Sequence, residues 1–135
     1  MSNLEQTLSI IKPDAVERNL EKDIKEFFIK NNLKISESKK VKISKEEAEE
    51  FYKVHQTKPF YNDLCNYLSS GPIVVMVLEG ENAILKNREL MGATDPNKAN
   101  DGSLRKMYGI SIDKNSVHGS DSKENAKLEI GFFFK

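Results

Sequence analysis

Seven consecutive residues, Pro72 to Leu78 (PIVVMVL), constrain the fold more than any other stretch. An unbroken run of apolar, mostly β-branched side chains fits a strand covered on both faces, so it predicts a strand at the centre of the sheet. The rest of the chain supplies partners for it. Leu4 to Ile11 (LEQTLSII) reads as a strand that partly alternates and then turns doubly apolar, and Pro13 cannot continue it. Pro13 suits the first turn of a helix, with Asp14 and Glu17 near the positive end of its dipole and Val16, Leu20, Ile24, Phe27 and Phe28 at helical spacing up to Asn31-Asn32. Leu33 to Ile43 reads as a strand with a solvated, Lys-rich middle.

Ser44 to Glu47 (SKEE) has the form of a capping box and opens a helix predicted from about Lys45 to His55. Lys58-Pro59 breaks it, and Phe60 to Leu68 restarts with Phe60, Leu64, Tyr67 and Leu68 on one face. Glu81 to Met91 is the next predicted helix, closed by Gly92 to Pro96. Asn97 to Asn115 is irregular apart from a helical turn around Leu104 to Tyr108, and an irregular segment of that length is usually functional or mobile. After it come Ser116 to Ser122, a helix capped by Asp121 or Ser122, and the apolar Phe132-Phe133-Phe134. The order β-α-β-α-β-α-β-α contains a βαββαβ core. The expected class is α+β, ferredoxin-like, with a four-stranded antiparallel sheet covered by helices, in one domain spanning 1–135.

Charge narrows the function. Lys plus Arg and Asp plus Glu are each 21, a net charge of zero, so there is no global field for a nucleic-acid backbone, and nucleic acid is not a predicted partner. The cations comprise 18 Lys and only three Arg, Arg18, Arg88 and Arg105, so each guanidinium asks for a specific reason. The single cysteine, Cys65, excludes an intramolecular disulfide, and two histidines do not make a zinc site. With no signal-peptide pattern and no long apolar span, a cytoplasmic location and no membrane partner are expected.

His118 lies in VHGSDS, just before a helix, and on the residues alone it has two readings. It is a loop histidine beside a capping cluster, or it is a nucleophile with room made by Gly119 and a carboxylate, Glu129, able to reach back toward Ser120 and the ring. Lys12 is either an exposed strand-end lysine or a phosphate or ribose contact, and Pro13 biases it to an extended backbone. Arg88 fits a solvated helix face, whereas Arg105 sits in the irregular segment, where a bidentate donor suits phosphate. Phe60 is a helix staple or a platform for a base. Tyr52 and His55 fit ordinary amphipathic positions, and Thr94 and Asn115 fit turns. No Walker-type or protein-kinase glycine loop occurs, so nucleotide-kinase chemistry here needs another route.

Four blocks, TLSIIKPDAV (7–16), GPIVVMVLEG (71–80), ENAILKNRELMGATD (81–95) and NSVHGSDS (115–122), closely resemble the nucleoside diphosphate kinase family, and the likeness runs from about Leu4 to Phe134. The resemblance implies ping-pong transfer of the γ-phosphoryl group from a nucleoside triphosphate such as ATP to nucleoside diphosphates through a phosphohistidine on His118, maintaining NTP and dNTP pools. It implies Lys12 at ribose and phosphate, Arg88, Thr94 and Arg105 at phosphate, and Asn115 at ribose. Phe60 would stack on the base with Leu64 beside it, Tyr52 and His55 would stand at further nucleotide positions, and Glu129 with Ser120 would order the histidine. Stacking reads the π-face shared by all bases, so broad base tolerance is expected. Mg²⁺ is expected on the nucleotide phosphates, with no metal ligands on the chain.

The resemblance also implies a homo-oligomer, a tetramer or a hexamer built from dimers. With the sequence ending at Lys135 close after the triple Phe, the C-terminal extension that helps lock some family hexamers is expected to be absent, and Glu21-Lys22 stands where many members carry an apolar residue and a glycine. A catalytically idle nucleotide-binding protein on the same scaffold is the rival reading. The complete set of His118, Lys12, Arg88, Arg105 and Asn115 argues against it. A phosphohistidine phosphatase or mutase is the third, and only the family resemblance speaks strongly against that one.

Overall fold

A computed structural model describes residues 4–111 and 114–134. Strands β1 (Leu4–Ile11), β2 (Lys34–Val41), β3 (Ile73–Glu81) and β4 (Val117–Gly119) form one sheet in the order β2-β3-β1-β4, with every neighbouring pair antiparallel. This is the ferredoxin-like α+β arrangement that the element order predicts. The run at Ile73 to Leu78 is buried throughout, as a central strand requires. Its alternate side chains serve two cores: Val74, Met76 and Leu78 pack into one, Ile73 and Val75 into the other.

Helices cover both faces. On the first lie α1 (Pro13–Glu17), α2 (Glu21–Lys30), α5 (Ala83–Met91) and α6 (Leu104–Tyr108), which contribute Ala15, Val16, Ile24, Phe28, Ala83, Met91 and Leu104. On the second lie α3 (Lys45–Phe51), α4 (Tyr61–Leu68) and α7 (Lys123–Phe133), which contribute Ala48, Cys65, Leu68 and Phe133 around Leu8 and Ile10 of β1. The minimal βαββαβ unit accounts for the first layer. The second is built from what the chain adds to that unit, the α3–α4 insertion and the terminal α7, and the apolar Phe133 anchors α7 there.

Local chemistry explains the boundaries. The capping box at α3 is present in both directions: Glu47 N donates to Ser44 Oγ at 3.1 Å, and Ser44 N donates to Glu47 Oε1 at 3.0 Å. Ser122 caps α7 by accepting from Asn125 N at 3.1 Å. Where the sequence predicts one helix after Pro13, the structure has two, because Asn19 turns left-handed at φ 61°. Asn82 does the same at φ 52°, so β3 runs through Glu81 and α5 starts only at Ala83. The helix predicted to His55 ends at Phe51 and is followed by a 3₁₀ turn at Lys53–His55. Strand β2 is shorter than Leu33 to Ile43 and has an irregularity between Ile35 and Glu37. It stands at the end of the sheet order, and its solvated middle leaves it an exposed edge.

Candidate active site

Strand β4 is three residues long, and its register against β1 decides which way each side chain points. Ile10 pairs with His118 and Ile11 with Val117. Ile10 belongs to the second core and Val117 to the first, so His118 projects toward the α3–α4–α7 layer. Its Nε2 lies 2.9 Å from Oε1 of Glu129 on α7. Ser120 Oγ donates to the same carboxylate oxygen, also at 2.9 Å. The helix capped by Ser122 thus carries a carboxylate back over the strand it has just left. Phe51 and Tyr52, at the end of α3, meet the imidazole edge-on with ring centroids 5.4 and 6.3 Å away.

His118, Tyr52, His55, Gly119 and Glu129 all line one cavity of about 390 Å³. The missing side chain of Gly119 has a different use from the room expected for a bulky ligand. A Cβ there would stand 2.2 Å from Asn87 Nδ2 and 2.7 Å from Met91 Cε, both on buried side chains of α5. Gly119 lets α5 approach the strand that carries His118. Replacing it with alanine is expected to push α5 and β4 apart, costing about 1–3 kcal/mol, which a denaturant-unfolding series would measure.

Lys12 is buried, 5% exposed, so an exposed strand-end lysine is excluded. Its backbone is extended, as Pro13 dictates, and its Nζ donates to Asn115 Oδ1 at 2.9 Å. Asn115 Nδ2 in turn donates to the carbonyl of Thr94 at 3.1 Å, which ties the segment after α5 to the end of β1. Arg105, on α6, donates to the carbonyl of Val117 at 2.9 Å and to that of Gly92 at 3.1 Å, while its buried Nε has no partner among the described residues. Burial, and then the neighbouring charge of Arg88, push its pKa down to about 10, so Arg105 remains protonated at neutral pH. A desolvated guanidinium within the electrostatic influence of a second cation is a place where an anion is favoured.

The expected residues therefore converge unevenly. His118, Glu129, Ser120, Tyr52 and His55 form one group, and Lys12, Asn115 and Thr94 form another. Arg105 lies between them, bonded to the residue before His118 and electrostatically coupled to Tyr52 and Arg88. Phe60 is 46% exposed and touches the site only through the His55 ring, 6.0 Å away. Leu64 packs against the second core. Arg88 and Thr94 are exposed. Arg18, the third arginine, lies elsewhere, on the carboxylate of Asp14 at 3.0 Å. The sequence reading did not single out Phe51, although an aromatic beside Tyr52 at the end of a capped helix was its available signal.

Sequence and structure comparisons point the same way. Residues 5–135 match the family described as nucleoside diphosphate kinase. The chain is 58% identical to a nucleoside diphosphate kinase of Wolinella succinogenes over 97% of its own length and 96% of the relative's. A nucleoside diphosphate kinase of Campylobacter hominis is 59% identical over the same shares. Among solved structures, the Aquifex aeolicus nucleoside diphosphate kinase superposes with a TM-score of 0.96 at 42% identity, covering 98% of this chain and 96% of that one. The Encephalitozoon cuniculi enzyme gives 0.93 at 37%, covering 96% and 88%. The chain belongs to the nucleoside diphosphate kinase family.

As a member of that family it is a phosphotransferase that moves the terminal phosphoryl group of a nucleoside triphosphate to a nucleoside diphosphate by the family's ping-pong, phosphohistidine route. Among the described residues, no three His, Cys, Asp or Glu side chains converge as a metal cage, and no helix is long and apolar enough to cross a membrane.

In this kinase the pKa of Tyr61 lies above the ordinary phenol value of 10.0, and those of Tyr52 and Tyr67 lie far above it. Burial raises Tyr52, with Glu129 adding to the effect, and burial raises Tyr67, with its hydrogen bond to Asp14 adding. The folded chain thus holds protons that the unfolded chain releases, and this contribution to stability falls as pH rises above about 10. In an absorbance titration at 295 nm, Tyr52 and Tyr67 are expected to ionise only together with the loss of the helical circular-dichroism signal. Ionisation of all four tyrosines in a folded chain would contradict it.

Proposed function

We propose that His118 is the residue that carries the phosphoryl group. The observation that supports this reading best is the contact of its Nε2 with Glu129. With Nε2–H donating to the carboxylate, Nδ1 is the nitrogen with the free lone pair. In the first half-reaction Nδ1 attacks the γ-phosphorus, a P–N bond forms as the bond to the β,γ-bridging oxygen breaks, and the nucleoside diphosphate leaves with that oxygen. In the second half-reaction a terminal oxygen of another diphosphate attacks the same phosphorus, and the histidine regains its lone pair. Glu129, itself held by Ser120, stabilises the positive charge that the ring gains as the P–N bond forms.

Phosphoryl transfer asks the protein mainly for alignment and for cations around the moving charge. Lys12, Arg88 and Arg105 supply them, with Thr94 at phosphate, Asn115 at ribose, Phe60 against the base with Leu64 beside it, and Tyr52, His55 and Gly119 framing the imidazole. These cationic donors fit phosphate oxygens rather than a metal, so Mg²⁺ enters as part of the Mg–nucleotide substrate. The chain acts as one catalytic domain in the cytoplasm, maintaining NTP and dNTP pools. It self-associates into a tetramer or hexamer built from dimers, a reading that the exposed β2 edge supports.

Incubation with γ-labelled ATP tests the mechanism. The protein is expected to retain label in an acid-labile, base-stable bond and to release it to added nucleoside diphosphate. A chain that binds ADP without taking up label would be the idle nucleotide-binding protein instead.

A further inference from the structure

Asp14 has no part in the proposed chemistry, yet among the described residues its carboxylate accepts the most hydrogen bonds. It is 6% exposed, and three donors from three parts of the chain meet on it. Tyr67 of α4 donates its hydroxyl to Oδ1. Ser116 Oγ donates to Oδ2 at 2.8 Å, and Arg18 Nη2 reaches the same oxygen at 3.0 Å. The Tyr67 oxygen also accepts from Asp14 N at 2.8 Å, so α1 and α4 are linked in both directions. Arg18 spreads further, to the carbonyl of Tyr108 at the end of α6 and to Ser116 Oγ at 3.1 Å.

The centre of this cluster is Ser116, fully buried and left-handed at φ 73°. A non-glycine residue persists in that conformation only where its surroundings impose it. Two contacts do so: its hydroxyl is held by Asp14, and its carbonyl accepts from Lys12 N at 2.8 Å. The turn it makes sets the direction of Asn115, whose Oδ1 receives Lys12 Nζ. Lys12 stands two residues before Asp14, and Asn115 one before Ser116, so both members of that pair sit on backbone that the carboxylate clamps.

We propose that Asp14, Tyr67 and Arg18 are positioning residues for nucleotide binding, acting through Ser116 to hold Asn115 against Lys12. The inference rests on the roles given above to Lys12 and Asn115. His118 and Arg105 are positioned separately, through Glu129 and Ser120 on the α7 side and through the carbonyls of Gly92 and Val117, so loosening the Asp14 cluster weakens binding more than it slows transfer. Tyr67→Phe deletes one hydroxyl at little change in shape, and Arg18→Lys keeps the charge but cannot span Asp14, Ser116 and Tyr108 at once.

The experiment is a double-mutant cycle read by ADP titration calorimetry and by the single-turnover labelling rate at saturating ATP. Tyr67→Phe and Arg18→Lys are each expected to raise the ADP dissociation constant roughly 5- to 10-fold while the saturating rate stays within about twofold. In an Asn115→Ala background the same substitutions are expected to add nothing, because their effect is transmitted through Asn115. An unchanged dissociation constant for both variants would overturn the inference, and so would an equal further loss in the Asn115→Ala background or a loss of rate instead of affinity. If Asn115→Ala itself leaves ADP binding unchanged, the assignment of Asn115 fails, and the positioning inference fails with it.

Discussion

His118→Ala is expected to lower nucleoside diphosphate kinase turnover by at least about 10⁴-fold, the largest effect of any single substitution in this chain. The imidazole is the nucleophile proposed above; the other described side chain bonded to Glu129, that of Ser120, is fully buried, also accepts from Leu8 N, and does not line the cavity that His118 lines. Labelling by γ-labelled ATP should vanish with the turnover, while ADP binding, which relies on other side chains, should persist. Circular dichroism and ADP titration on the same preparation separate loss of chemistry from loss of fold. Label retained by the alanine variant would place the nucleophile elsewhere.

The second large effect is expected at Arg105. In the proposed mechanism its guanidinium, buried and within the electrostatic influence of Arg88, meets the charge on the transferring phosphoryl group without reorganising water. Arg105→Ala should lower kcat by roughly 10²–10³-fold, about 3–4 kcal/mol, the range seen when one preorganised donor to a developing charge is removed. The substitution also orphans the carbonyls of Gly92 and Val117, so a stability loss of about 1–3 kcal/mol should accompany it. Arg105→Lys distinguishes the two. It keeps the charge and loses the fork, so part of the rate should return while the two carbonyls cannot both be satisfied. Rates equal to the unsubstituted protein in both variants would remove Arg105 from the phosphate site.

Much of this molecule was legible before any coordinates. The all-apolar Pro72 to Leu78 run implied a covered central strand, and the order of elements implied the βαββαβ sheet, because burial on two faces and the directions of short connections follow from local pattern. The capping box at Ser44 and the helix start after Asp121-Ser122 were equally local. Two of the misplaced boundaries share a cause. At Asn19 and Asn82 a left-handed residue interrupts a sequence whose apolar spacing continues as if nothing had happened, and periodicity carries no information about φ.

Residue types and motif spacing in NSVHGSDS and IKPDAV determined the family, and with it the reaction, since chance reproduction of those blocks is negligible. Tertiary structure decided what each of those residues touches. Lys12 read as an exposed lysine or a ligand contact until β1 and the 115–117 turn met around it, and Gly119 read as space for a ligand until α5 was found in that space. Arg18 asked for a reason that its spacing partly holds, an i,i+4 ion pair with Asp14, but only long-range packing brings it to Tyr108 and Ser116 and leaves Arg105 desolvated within the electrostatic influence of Arg88. The physical reason is range: spacing along a chain specifies which face a side chain occupies, whereas burial and hydrogen-bond partners across as many as a hundred residues arise only when the two helical layers close on the sheet.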